Sequence, residues 1–125
     1  MRKSALLILL MGLIFLMMGC TSTGYKDLSA NQAKELIDQQ TDLQLLDVRE
    51  EVEYAEGHIE GSVLIPLGQL GDRISELDPE KPVLLICRSG NRSGQAADLL
   101  VKEGFKDVNN LEKGILQWPY DLVQN

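Results

Sequence analysis

Cys87 stands where an apolar run, Val83-Leu84-Leu85-Ile86, gives way to a polar loop, Arg88-Ser89-Gly90-Asn91-Arg92-Ser93, that leads into a helical pattern. A thiol at the carboxyl end of a buried strand, facing the first turn of a helix, meets unpaired backbone N–H groups and the positive end of the helix dipole. Such surroundings lower a thiol pKa and favour the nucleophilic thiolate. Arg88 and Arg92 add fixed positive charge, so an anionic sulfur and an anionic substrate are both favoured there. A cysteine is more often a small buried hydrophobe. Here the loop after it packs two arginines, two serines, an asparagine and a glycine into six residues, which is poor core material. The pattern describes a cysteine enzyme.

The elements that must hold this loop can be traced along the chain. Ser29 and Gln32 form a capping box ahead of Ala33, Leu36 and Ile37 at helical spacing, which marks the first helix. Leu43 to Val48 is a short apolar run with a carboxylate at Asp47, as in an interior strand. Residues 50–56 suit a helix that Gly57 stops, and residues 62–66 form a second apolar run closed by Pro66. Leu67, Leu70, Ile74 and Leu77 recur at helical intervals until Asp78-Pro79. Val83 to Ile86 is apolar on both faces and is the candidate sheet centre. Ala96, Ala97, Leu99 and Leu100 line the helix after the cysteine loop, with Gly104 as its left-handed cap. Residues 105–109 suit one more short strand, and residues 113–118 a terminal helical turn. Strands alternating with helices at this spacing predict an α/β fold with an open, mostly parallel sheet. In such sheets ligands bind beyond the carboxyl ends of the strands, where Cys87 lies.

Residues 1–19 read as a signal peptide: Arg2 and Lys3 precede an uncharged apolar stretch that ends at Gly19-Cys20. The stretch is shorter than the ~20 residues a spanning helix needs. Its end resembles the lipobox of bacterial lipoproteins, which implies a lipid on Cys20. In that pattern leucine is usual three residues before the cysteine, and Leu16 lies one position earlier. Residues 20–24 then serve as the lipid-attachment cysteine and tether, and residues 25–125 as one domain, long enough to bury a core without staples or metal. The expected location is exported, in the cell envelope, held to a bacterial membrane by the N-terminal lipid.

The chain has a formal net charge of −7, and the signal segment removes two of its cations and no acid. Nucleic acid is thereby excluded as an expected partner. Two cysteines are present, and with Cys20 lipidated Cys87 has no disulfide partner in its own chain.

Spacing separates two thiolate chemistries. Protein tyrosine phosphatases place an arginine six positions after the cysteine to grip phosphate; here Ser93 has that place and Arg92 comes one step early. The loop Cys87 to Arg92 instead resembles the six-residue active loop of the rhodanese family of sulfurtransferases. Leu46-Asp47-Val48-Arg49 resembles that family's strand-end motif, residues 53–62 its signature before the third strand, and Gly114-Ile115-Leu116-Gln117-Trp118 its closing motif. Glu60 stands where proline is commoner, and Lys113 where glycine is frequent.

The resemblance implies a five-stranded rhodanese-like sheet with helices on both faces, and transfer of a sulfane sulfur through a Cys87 persulfide. The donor would be a small anion such as thiosulfate and the acceptor a thiol or cyanide, with no metal or organic cofactor. Arg88, Ser89, Gly90, Asn91, Arg92 and Ser93 would form the substrate-binding loop; Arg92 is also placed to tie the loop to a neighbouring carboxylate. Asp47 and Arg49 are expected to pair structurally with neighbouring loops, His58 to pack near a strand entry, and Trp118 to anchor the core. Rival readings are a non-catalytic persulfide-binding or redox-sensing lipoprotein, and a Cys-dependent phosphatase or arsenate reductase, against which the short loop argues.

Overall fold

Val83, Leu84, Leu85 and Ile86 are wholly buried, and a run apolar on both faces is stable only when both faces are covered. In the computed structural model, which describes residues 24–124, these residues form the strand β4 (Val83–Ile86). It is flanked by β2 (Gln44–Asp47) and β5 (Val108–Leu111), with β3 (Val63–Leu64) and β1 (Lys26–Leu28) at the edges. The order is β1-β5-β4-β2-β3 and every pairing is parallel. Parallel neighbours need crossovers, supplied here by α1 (Ala30–Gln39), α2 (Glu51–Glu56), α3 (Leu67–Arg73) and α4 (Asn91–Lys102). The expected signal peptide and the lipid site at Cys20 lie outside the described residues.

Strand pleating sends alternate side chains to opposite faces. Val83, Leu85 and Cys87 join Leu70 of α3 and Ala96, Ala97 and Leu100 of α4 in one core. Leu84 and Ile86 join Ala33 of α1, Ile59, Leu111 and Trp118 in the other. Cys87 therefore faces α4, the helix that its own loop starts.

Local signals act as their chemistry requires. Ser29 Oγ accepts the Gln32 amide at 3.3 Å while Gln32 Oε1 accepts the Ser29 amide at 2.9 Å. Gly104, at φ +88°, closes α4; the Phe105 amide donates to Leu100 O at 3.0 Å. One expectation needs correction. The last strand begins at Val108 instead of residue 105, because Phe105 follows the helix cap and turns into the α4-side core before the chain enters the sheet. The five strands that the resemblance implied are all present; β1, the one without an apolar run of its own, is a polar strand on the open edge of β5, where Lys26 pairs with Asn109.

At the end of β2, Asp47 is wholly buried and Arg49 is 5% exposed. Arg49 Nε and Nη2 fork onto the Asp47 carboxylate at 3.0 and 2.8 Å, and Nη2 also donates to Gly57 O at 2.8 Å. The pair thus joins β2 to the end of α2. Removing one member of a buried pair leaves an uncompensated charge. Asp47→Ala is expected to lower unfolding free energy by about 3–5 kcal/mol in urea titration; a loss below ~1 kcal/mol would show that the pair is not a structural tie.

Candidate active site

Directly after β4 the chain must turn out of the sheet and start α4. Gly90 makes this possible: it sits in the left-handed region at φ +96° as the N-cap, and a Cβ there would lie 1.9 Å from Glu112 O. The turn aims donors at the sulfur. The Gly90 amide reaches Cys87 Sγ at 3.1 Å and the buried Ser93 hydroxyl reaches it at 3.2 Å. Burial is the largest single influence on the thiol and opposes ionisation. Hydrogen bonds from the Ser93 hydroxyl and from the amides of Ser93, Ser89 and Gly90 together outweigh it and hold the pKa below the ordinary thiol value.

A second loop braces the first. Gly114, at φ +63°, brings the segment after β5 so close that a Cβ would lie 2.3 Å from Arg88 O. The Ile115 amide donates to Cys87 O at 2.9 Å and the Leu116 amide to Arg88 O at 3.1 Å. On another side, Asn110 Nδ2 donates to Asp27 Oδ1 at 2.9 Å and to Gly90 O at 3.4 Å. Sequence reasoning placed the 113–118 turn and its glycine but not this bracing. Asn110 and Asp27 carry no local signal, since their partners are set by the pairing of β1 with β5.

The two arginines of the loop have different fates. Arg92 forks onto Glu53 of α2, with Nη2 to Oε1 at 2.7 Å and Nη1 to Oε2 at 2.8 Å, so it ties the loop to a neighbouring carboxylate. Sequence reasoning missed Glu53, which is 39 positions away. Arg88 is exposed and makes no ion pair among the described residues. It lines an open cavity of about 340 Å³ with Arg49, Glu53, Glu56, Ile115 and Leu116. Ser89 and Asn91 are exposed on the loop, and Asn91 Oδ1 accepts from Gln95 at 3.3 Å.

His58 packs, as expected, at the strand entry. Its ring stacks on Tyr54 with centroids 3.7 Å apart, and Nδ1 lies 2.9 Å from Tyr54 O. A carbonyl only accepts, so Nδ1 carries the proton. Trp118 is buried in the α1-side core, edge-on to Tyr120. A larger cavity of about 450 Å³ lies between α1 and the Trp118–Asp121 segment, away from the thiol.

The pattern of a rhodanese-like domain matches residues 29–120. The chain belongs to the rhodanese-like family. Thiosulfate sulfurtransferase GlpE of Pseudoalteromonas translucida (strain TAC 125) is 32% identical over 94 residues, 75% of this chain and 89% of GlpE. Bacillus subtilis (strain 168) YrkF, provisionally named a sulfur carrier protein, is 41% identical over 92 residues, 74% of this chain, and the chain spans 50% of its length. Among solved structures, a rhodanese-related protein from Thermoplasma volcanium superposes with a TM-score of 0.73 at 32% identity, over 81% of this chain and 100% of that one. The five-stranded parallel sheet is thus the rhodanese-like fold, and sulfur transfer is the class of activity that the relatives support.

Within this rhodanese-like domain the Ser93 hydroxyl stabilises the thiolate, so removing it raises the thiol pKa. Alkylation of wild-type Cys87 by iodoacetamide is expected to titrate with a midpoint below the free-thiol value, and Ser93→Ala to shift that midpoint upward. An unmoved midpoint would show that the hydroxyl contact does not bear on ionisation.

Proposed function

We propose that the protein is a sulfurtransferase in which Cys87 accepts a sulfane sulfur as a persulfide and passes it to a thiol or to cyanide. One observation carries the reading: at the end of the central strand, Sγ receives the Gly90 amide and the Ser93 hydroxyl, in a loop built to hold an anionic sulfur. With thiosulfate as donor, the Cys87 thiolate attacks the outer sulfur, the donor S–S bond breaks, and sulfite leaves with its electron pair. The new persulfide keeps its negative charge on the outer sulfur, within reach of the loop amides. An acceptor thiolate or cyanide then attacks that sulfur and Cys87 leaves as thiolate again. Arg88 stands at the approach and attracts the anionic donor.

Incubation with thiosulfate should add the mass of one sulfur atom, and subsequent cyanide should remove it with formation of thiocyanate. Retention of the added mass in Cys87→Ser would sink the assignment. Capture without turnover over a panel of thiols would make the chain a sulfur carrier, the role given in the name of YrkF.

The proposed setting is a bacterial envelope, with residues 1–19 cleaved and Cys20 carrying the lipid. Two or more acyl chains hold a domain stably at a membrane. Labelled palmitate should enter the wild-type chain and not Cys20→Ala; equal labelling of the two would count against lipidation.

A further inference from the structure

Arg92 closes the six-residue loop that starts at Cys87, and its charge acts first on Glu53 and also on the Cys87 sulfur, so it is the second loop cation within electrostatic reach of the site. Its guanidinium is already forked onto both carboxylate oxygens of Glu53. Glu53 is itself fixed, because Oε2 also accepts the Glu50 amide at 2.9 Å at the start of α2. The hydrogen bonds from Arg92 are the main reason that the Glu53 carboxyl is held at a pKa of about 2, so the clamp stays charged at any physiological pH.

The same masking runs through the cavity beside the loop. Arg49 is neutralised by Asp47 at 2.8 Å, Glu53 is taken by Arg92, and Glu56 adds an exposed carboxylate. Arg88 remains as the cation without an ion pair among the described residues, and Ile115 and Leu116 supply apolar surface. Such a mouth suits a dianion poorly: two negative charges meet one free cation with Glu56 on the same cavity wall.

We infer that Glu53 is a specificity-determining residue: by closing on Arg92 it withholds the second loop cation and biases the Cys87 site away from dianionic oxyanions, thiosulfate included, toward organic persulfides. The inference rests on the sulfur-transfer reading of Cys87. The step balances without an added oxidant or reductant. The Cys87 thiolate attacks the outer sulfur of R–S–SH, the donor S–S bond breaks, a new S–S bond forms on Cys87, and R–S⁻ leaves while the proton stays on the transferred sulfur. The alkyl group of the donor lies against Ile115 and Leu116.

Glu53→Gln tests this with little disturbance, since the amide oxygen still accepts from Glu50 or Arg92 while the charge is gone. Inorganic sulfate, a dianion with no sulfane sulfur, serves as one probe through its protection of Cys87 from iodoacetamide. The second readout is the ratio of kcat/KM for thiosulfate to that for hydroxyethyl persulfide. In Glu53→Gln, sulfate should protect at roughly tenfold lower concentration, and the ratio should rise by a similar factor. Both gains should vanish in Glu53→Gln/Arg92→Gln, and Glu53→Asp, which keeps the charge, should retain wild-type values. Unchanged sulfate protection in Glu53→Gln, a gain that survives in the double variant, or an equal gain in Glu53→Asp would overturn the inference. If Cys87 takes sulfur from neither donor, the sulfur-transfer reading falls, and sulfate protection still decides whether Glu53 masks Arg92.

Discussion

A thiol buried at the end of a central strand, with hydrogen-bond donors aimed at its sulfur, is the constraint from which the rest of the architecture follows. Cys87 is 1% exposed, and burial alone would push its thiol pKa up. The pKa is instead lowered because several donors converge on one atom, among them the Ser93 hydroxyl and the Gly90 amide. Convergence of that kind requires a backbone that turns sharply between a strand and a helix, and a helix that starts within five residues of the strand's end. The parallel sheet provides it: β4 delivers the sulfur and α4 delivers the donors.

A loop aimed this closely is held by its neighbours. The segment after β5 bonds the carbonyls of Cys87 and Arg88, which turns them away from the sulfur and leaves the amides to face it. Gly90 and Gly114 are the points of closest approach, where another backbone occupies the space of any side chain. On the far side the Arg92–Glu53 fork ties the first turn of α4 to α2, and α2 is anchored at its end by Arg49 through Gly57 O. The buried Asp47–Arg49 pair and the half-buried Glu53–Arg92 pair therefore act in series between β2 and the active loop. Both are forked contacts, which fix orientation as well as distance.

Much of this was legible in the order of residues. Apolarity on both faces of Val83–Ile86 indicated the sheet centre, the capping box at Ser29 began α1, Gly57 followed the end of α2, and Gly104 ended α4 in the left-handed conformation that glycine adopts freely. Those signals are local: they depend on side-chain period, capping groups and turn residues within a few positions. β1 escaped notice because three residues with two charges have no strand pattern of their own, and pair only because β5 offers an unfilled edge. The start of β5 was placed too early because Phe105 is apolar and strand-prone by type, yet the cap at Gly104 turns it into the core.

The sequence by itself placed a thiol at a strand-to-helix junction and an arginine five positions beyond it, one short of the phosphatase spacing, since both depend on residues close together in the chain. Only the tertiary structure decided how the charges around it are divided. Arg92 and Glu53 are 39 positions apart, and Asp27 and Asn110 are 83 apart. Their meeting is a product of sheet order and helix placement, which no local pattern encodes. Charge on Arg88 and Arg92 is equal in the sequence, and folding leaves one facing the cavity and the other closed on a carboxylate.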